Sequence, residues 1–338
     1  MAPGLKTNDP DGQSRKMNLA VWGLGRHAFK NVLPAIRNCG EANLVGVYSR
    51  DETARSRASR EYGCELFPDE SSMLSDPRVT VVYLATPIGL HFEQGQRVLG
   101  SGRHLICEKS LTDSHAKSAR LVAEARQRRL LLCEAFMYRF HPRTQSIFEL
   151  VRREEFGEIV AVTSNFFLPT LEHPGYRYSA SLGGGAFLDA GCYPISFFLG
   201  LGKVSPVVSQ ARFHLTPGIE VDTGGVAFLR WGAQGQACLG WSYGAAYRNE
   251  ATIIGEKQSL YVDQVFAKGG SGCSAVVLRD SHGKEERRPY EETDGFVKML
   301  AYVKQALLSE KMKETLWTEA ERQAQLMEQV RAAAARSG

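Results

Sequence analysis

From Met17 onward, short apolar runs alternate with longer stretches whose apolar residues recur at helical spacing: "MNLAVWG", then 27–38; "ANLVGVYS", then 51–61; "VTVVYLA", then 89–101; "HLICEK", then 113–129; then "LLLCEA". Continuous apolar runs predict strands buried on both faces, and amphipathic helices between them predict parallel crossovers. The first part of the chain therefore reads as a doubly wound α/β sheet over 17–141. After about Pro142 the texture changes. A helix is predicted over 142–153, followed by strands in which apolar and polar residues alternate, as in "QACLGWSY", where Ala237, Leu239, Trp241 and Tyr243 share one face. Such period-two alternation predicts a large open sheet, mainly antiparallel and covered on one face. Helices near 293–309 and 318–335 close an α+β domain spanning 142–338, and the C-terminal helix is expected to pack back on the first domain. No internal repeat is present.

Composition narrows the possibilities. At 338 residues the chain exceeds one ordinary core, so two domains are expected. Hydrophobic residues at 43% and charged residues at 23% suit a soluble globular protein, and no segment is read as reaching the ~20 apolar residues that cross a bilayer. No membrane role is expected. The net charge of +4 is dispersed and "RQRR" (126–129) reads as a solvated helix end, which argues against nucleic-acid binding. The seven cysteines, Cys39, Cys64, Cys107, Cys133, Cys192, Cys238 and Cys273, lack paired spacing and read as reduced thiols of a cytoplasmic protein. Residues 1–16 are polar, rich in Pro, Gly and Asp, and lack the apolar core of a secretory signal; they read as a disordered arm.

The first strand runs into "AVWGLGRHAFKNVLPAI", which contains Gly23-x-Gly25-x-x-Ala28 at a helix start. Glycine at the first position permits a tight turn, at the second a close approach to pyrophosphate, and a small third residue lets helix and strand pack. Gly23, Leu24, Gly25, Arg26 and His27 are thus candidate cofactor contacts of a dinucleotide fold. The second strand ends in "VGVYSRDE". Ser49 and Arg50 offer a hydroxyl and a guanidinium to a ribose 2'-phosphate, so NADP(H) is preferred, with NAD(H) possible and favoured if the strand instead ends nearer Asp51.

Further strand ends carry "LATPIGLH" and "ICEKS", which bring Thr86, Pro87, His91, Glu108 and Lys109 to the edge where open α/β sheets bind ligands. His91 suits either cofactor contact or packing. Lys109 follows the apolar "HLIC" run after Glu108 alone, where an unpaired ammonium is costly unless it emerges into solvent.

"GLGRHA", "ATPIGLH", "CEKS", "EAFMYRFHP" and "GGGAFLDAGCYP", in this order, resemble the glucose-fructose oxidoreductase / inositol dehydrogenase / MocA family over residues 17–335. Within it they are similar to the dihydrodiol and aldose dehydrogenases and to the nucleotide-sugar 3-ketoreductases. The resemblance implies a Rossmann domain followed by an open-sheet domain, with substrate held between nicotinamide and second domain. The family's Glu-Lys-Pro lysine falls on Lys109, with Ser110 replacing the proline, and its Asp-x-x-x-Tyr pair on Asp189 and Tyr193. No metal is implied, and the histidines show no metal-ligand spacing.

Hydride exchange at a carbinol carbon needs a partner for the hydroxyl proton. Tyr193 is the candidate general acid/base, its pKa lowered by Lys109. Asp189, four residues earlier on one helical face, is placed to orient Lys109 or a substrate hydroxyl. Arg139 and His141 in "MYRFHP" and Tyr176 and Tyr178 in "HPGYRY" are candidate substrate contacts, with an interdomain salt bridge as the alternative for Arg139. The expected function is an NADP(H)-dependent oxidoreductase acting on a secondary hydroxyl or ketone of a sugar-like small molecule, including nucleotide-linked 3-keto-sugars. Aldose or trans-dihydrodiol dehydrogenation is the alternative within the class; a non-catalytic dinucleotide sensor and an NAD-dependent glycosidase are alternatives outside it. The open sheet face predicts a homodimer or homotetramer.

Overall fold

The computed structural model describes residues 16–202, 204–266 and 275–336. The N-terminal arm, apart from Lys16, and Cys273 lie outside the described residues.

Among the described residues the first sheet has the order β3-β2-β1-β4-β5-β6. Its strands are β1 (Met17–Trp22), β2 (Ala42–Tyr48), β3 (Glu65–Leu66), β4 (Val81–Leu84), β5 (His104–Cys107) and β6 (Leu132–Glu134), all paired in parallel. Leu19, Val21 and Tyr83 pack on one face with Leu33 and Ile36, while Ala20, Val82 and Leu84 pack on the other with Val98 and Leu121. Burial on both faces explains why these strands read as unbroken apolar runs. Strand β3 escaped prediction because both its residues are exposed.

The predicted 27–38 helix is a π-turn over Ala28–Val32 followed by α1 (Leu33–Asn38). Pro34 explains the change, because it has no N–H for the α ladder and crowds the carbonyl four residues back. Helices α2 (Glu52–Tyr62), α3 (Glu70–Ser75), α4 (Ile88–Gly100) and α5 (His115–Arg128) complete the layers; α3 was not predicted. A 3-10 turn (Met137–Phe140) and α6 (Pro142–Leu150) lead into the second domain.

There β7 (Ile159–Leu168), β8 (Val207–Leu215), β9 (Asp222–Trp231), β10 (Gly235–Tyr243), β11 (Arg248–Gly255), β12 (Gln258–Asp263), β13 (Val276–Asp280) and β14 (Glu285–Arg288) form a sheet. Its order is β14-β13-β12-β11-β7-β10-β9-β8, and only the β7–β10 pairing is parallel among the described residues. Leu239, Trp241, Ile253 and Val262 cover their core against Phe197 and Phe198 of α7 (Cys192–Gly200). Residues 180–200 are in fact long and apolar enough to pass for a membrane span, contrary to the sequence reading, but 83% of that window is buried inside the protein. It is a core segment.

Helix α8 (Gly295–Ala306) places Phe296, Met299, Leu300 and Val303 in the core of the first domain. Helix α9 (Glu310–Arg336) spans both domains: Trp317 and Ala320 pack under the first sheet, and Leu326, Met327 and Val330 join the second core.

Candidate active site

The order of the first sheet reverses between β1 and β4, so the loops after them diverge and leave a crevice at the carboxyl edge. Gly23 closes β1 with a φ of +104°, and a Cβ there would lie 2.7 Å from the Ala85 carbonyl oxygen. Only glycine lets these two loops pass so closely. Gly25 differs, since a Cβ there would meet nothing within 4 Å. That open space beside a helix start fits a pyrophosphate approached by backbone N–H groups. Leu24 packs into the core below, and Arg26 is exposed.

Beyond β2, Asp51 accepts the Ala54 N–H at 3.0 Å and caps α2. Ser49 is half-buried, its hydroxyl accepting the Asp51 N–H at 3.2 Å, and Arg50 is exposed. His27 Nε2 lies 2.9 Å from Glu108 Oε1, which also accepts the Tyr83 hydroxyl at 2.6 Å. Burial opposes both charges, but the pair holds Glu108 below and His27 above their ordinary pKa values. Thr86 donates to Gln94 at 2.6 Å, and Pro87 is the extended cap of α4. His91 is fully buried, its ring nitrogens 2.8 Å from the Thr86 carbonyl and 3.0 Å from that of Ser110. Buried there between the loops after β4 and β5, it fits the packing alternative.

Lys109 enters from the β5 loop, whose Lys109–Ser110 peptide is cis; the Ser110 hydroxyl donates to the Leu188 carbonyl at 2.9 Å. Lys109 Nζ donates to Asp189 Oδ1 at 2.8 Å and to the Asp189 carbonyl at 2.7 Å. The same ammonium stands 4.9 Å from the centre of the Tyr193 ring. Asp189 is the hub, for its Oδ2 accepts from Arg177 Nε at 2.7 Å and from the Tyr243 hydroxyl at 2.9 Å. Burial alone would favour a neutral acid and a neutral amine. The ion pairs overcome it, Lys109 and Arg177 holding Asp189 well below the carboxylate range and Asp189 holding Lys109 well above the usual lysine.

Asp189 and Tyr193 do not share a regular α-helix as expected. Residues Phe187–Gly191 form a π-turn that passes into α7, again just before a proline, Pro194. The Tyr193 ring is nearly buried among Phe136, Tyr138, Phe166 and Phe266, with centroids 5.2 to 5.8 Å away. Among the described residues its hydroxyl has no protein hydrogen-bond partner. The expected lowering of its pKa is overturned: burial raises it above 10, and the opposing charge of Lys109 is the smaller effect. Tyr193 is therefore held as a neutral phenol, the form that gives a proton.

Of the other candidates, Tyr176 is half-buried near Asp189, its hydroxyl pushed up to about 12 by burial and then by that carboxylate. The Tyr178 ring lies 6.0 Å from that of Tyr243. Arg139 pairs with Glu319 of α9 at 2.7 Å, as the salt-bridge alternative expects. His141 caps α6, accepting the Arg143 N–H at 3.1 Å. Sequence reasoning missed Arg177 and Tyr243. Arg177 lies inside the quoted "HPGYRY", and Tyr243 ends the inward face of "QACLGWSY"; neither pattern marks a partner for Asp189.

Residues 17–136 match the oxidoreductase family with an NAD-binding Rossmann fold, and residues 144–261 match the GFO/IDH/MocA C-terminal domain. The chain belongs to the GFO/IDH/MocA oxidoreductase family. It is 32% identical over 255 residues to dTDP-3,4-didehydro-2,6-dideoxy-alpha-D-glucose 3-reductase of Saccharopolyspora spinosa, covering 75% of this chain and 76% of the relative. It is 34% identical over 189 residues to D-xylose 1-dehydrogenase (NADP(+)) 2 of Haloferax volcanii, covering 54% of this chain and 58% of that one. In structure it is similar to a 3-ketoreductase from Actinomadura kijaniata solved with NADP and TDP-benzene, with a TM-score of 0.87, 29% identity and coverage of 94% and 98% of the two chains. That ketoreductase has also been solved with one lysine replaced by alanine and one tyrosine by phenylalanine. Those two positions stand as far apart in sequence as Lys109 and Tyr193 of this GFO/IDH/MocA oxidoreductase.

Proposed function

We propose that this oxidoreductase is an NADPH-dependent reductase of a ring ketone on a nucleotide-linked sugar. The observation that carries the reading is the Lys109 ammonium, held by Asp189 at 2.8 Å and 4.9 Å from the ring of Tyr193, whose hydroxyl is left free for a ligand. Bound NADPH supplies the hydride that converts the ketone carbon to a carbinol. Tyr193, neutral at the outset, gives its proton to the ketone oxygen, and the phenolate left behind is stabilised by Lys109 until solvent reprotonates it. Asp189 fixes the lysine; Arg177 and Tyr243 fix Asp189. Ser49 and Arg50 take the 2'-phosphate, and Gly25 leaves room for the pyrophosphate. The likeness to ketoreductases over most of the chain supports a dTDP-sugar substrate, and the xylose dehydrogenase relative supports oxidation of a free aldose as the second reading.

NADPH oxidation with dTDP-linked 3-keto-sugars, and NADP reduction with aldoses and dihydrodiols, tests both. Turnover of the nucleotide sugars alone is expected; turnover of aldoses alone favours the second reading, and none with any substrate refutes both.

The described strands also expose Val207, Leu215, Phe228 and Ile254, which supports self-association of two or four copies through the open sheet. Analytical ultracentrifugation checks it, a monomer at micromolar concentration refuting it. The six described cysteines are all free, which supports a reducing compartment such as the cytoplasm.

A further inference from the structure

The segment that carries Asp189 and Tyr193 is held at its start by a residue from the far sheet. The Phe187 N–H donates to Asp222 Oδ2 at 2.8 Å, and the Trp241 indole N–H reaches the same oxygen at 3.4 Å. The other carboxylate oxygen faces Gly185, where a Cβ would stand 2.5 Å from it and where φ is +113°. The Gly185 carbonyl in turn accepts the Asp189 N–H at 3.1 Å and the Tyr243 hydroxyl at 3.4 Å. That hydroxyl also holds the Asp189 carboxylate. Trp241 closes the far end of the turn, because a Cβ on Gly191 would lie 2.9 Å from its indole. Asp222 thus borders Gly185 and Phe187, the backbone just before Asp189, while forming no hydrogen bond with Lys109, Asp189 or Tyr193 itself.

We propose that Asp222 is a positioning residue for the reaction: from β9 it clamps Gly185 and Phe187 and so sets where Asp189, and with it Lys109, stands beside Tyr193. The assignment rests on the roles given above to those three residues. Its chemistry sets Asp222 apart from an ordinary core residue. Its hydrogen-bond donors are neutral, and the cation acting on its carboxylate is Arg331 of α9. Burial, only partly offset by the Phe187 and Trp241 donors and by Arg331, pushes its pKa up to about 6. An acid whose pKa rises on folding lowers stability as pH climbs through that range. At neutral pH the fold therefore carries this charge at a cost to its stability.

Asp222→Asn keeps an acceptor for Phe187 and Trp241 but removes the charge, and Asp222→Ala removes both. Both are expected to fold and to bind NADPH within about twofold of wild type. Turnover is expected to fall about tenfold in the first and about a hundredfold in the second at nearly unchanged KM, since small misplacements of reacting groups act on kcat. At pH 8 the Tm of Asp222→Asn should equal or exceed that of wild type. Gly185→Ala should lower kcat through the same clamp, so that combining it with Asp222→Ala loses less than the product of the two. An Asp222→Ala enzyme with wild-type kcat overturns the proposal. So does an Asp222→Asn protein in which kcat, NADPH binding and Tm fall together, the mark of a merely structural residue. If wild type turns over none of the sugars, the function above fails but the clamp remains testable by amide exchange on the NADPH-loaded chain: exchange in 185–193 must rise in Asp222→Asn while the first sheet is unchanged, and equal exchange refutes it.

Discussion

Asp189, buried, and Asp222, half-buried, are carboxylates at opposite sides of one turn, and they behave oppositely. Asp189 meets two cations, Lys109 and Arg177, and is held ionised. Asp222 meets an amide and an indole, and burial drives its pKa up to about 6. The difference teaches that burial alone does not set the charge of an acid here; the partners brought by other elements do. One carboxylate organises charge at the reacting point, and the other holds backbone.

The sharpest way to break the contrast is Lys109→Ala, which removes one cation from Asp189. Breaking a buried pair is expected to cost roughly 3–5 kcal/mol, read from the denaturant midpoint, together with loss of turnover. Tyr193→Phe separates chemistry from packing. It is expected to lower kcat by roughly 10²–10⁴ while stability, followed by thermal melting, changes by less than about 1 kcal/mol, because no described protein group bonds the hydroxyl.

Next come the opposite pH signatures of the two acids. Asp189, with its pKa lowered on folding, contributes stability that is present above the ordinary carboxylate pKa and lost only at stronger acidity. Asp222, raised from 3.8 to about 6, subtracts on the order of 2–3 kcal/mol as pH rises through that window. Melting curves from pH 4 to 8 should show Asp189→Asn losing stability at neutral pH and Asp222→Asn holding or gaining it. Equal behaviour of the two variants would remove the distinction.

Arg50→Ala lies outside both clusters. It should weaken NADPH binding about tenfold or more, the scale of one charge-assisted hydrogen bond, and leave NADH binding unchanged in fluorescence titrations. The smallest effect is expected at Arg139. Its pair with Glu319 is partly exposed, so Arg139→Ala should cost no more than about 1 kcal/mol of stability and change kcat less than about threefold. A larger loss of turnover would favour Arg139 as a substrate contact.

Much of this was legible in advance, where local pattern carries the information. The apolar runs of β1, β2, β4, β5 and β6 announce a sheet buried on both faces, and the Gly23 and Gly25 spacing announces a phosphate loop. Lys109 stood out as a lysine at the end of an apolar strand. What could not be read was the company each group keeps. His91 sits in a motif at the ligand edge, yet two carbonyls hold it in the core. Tyr193 was expected to be acidified by Lys109, but its aromatic cage is assembled from three separate parts of the chain and desolvation wins.

By itself the sequence determined strands β1, β2, β4, β5 and β6 and the helical stretches between them, the parallel edge that gathers the strand-end loops and the residue kinds available there, because periodicity and turn chemistry are local properties of the chain. Only the tertiary structure decided that Asp189 answers to Lys109, Arg177 and Tyr243 at once, that Asp222 reaches Gly185 and Phe187, and that Tyr193 is a neutral phenol. Charge states and clamps depend on distances between groups 12 to 80 residues apart, which folding sets and no local pattern records.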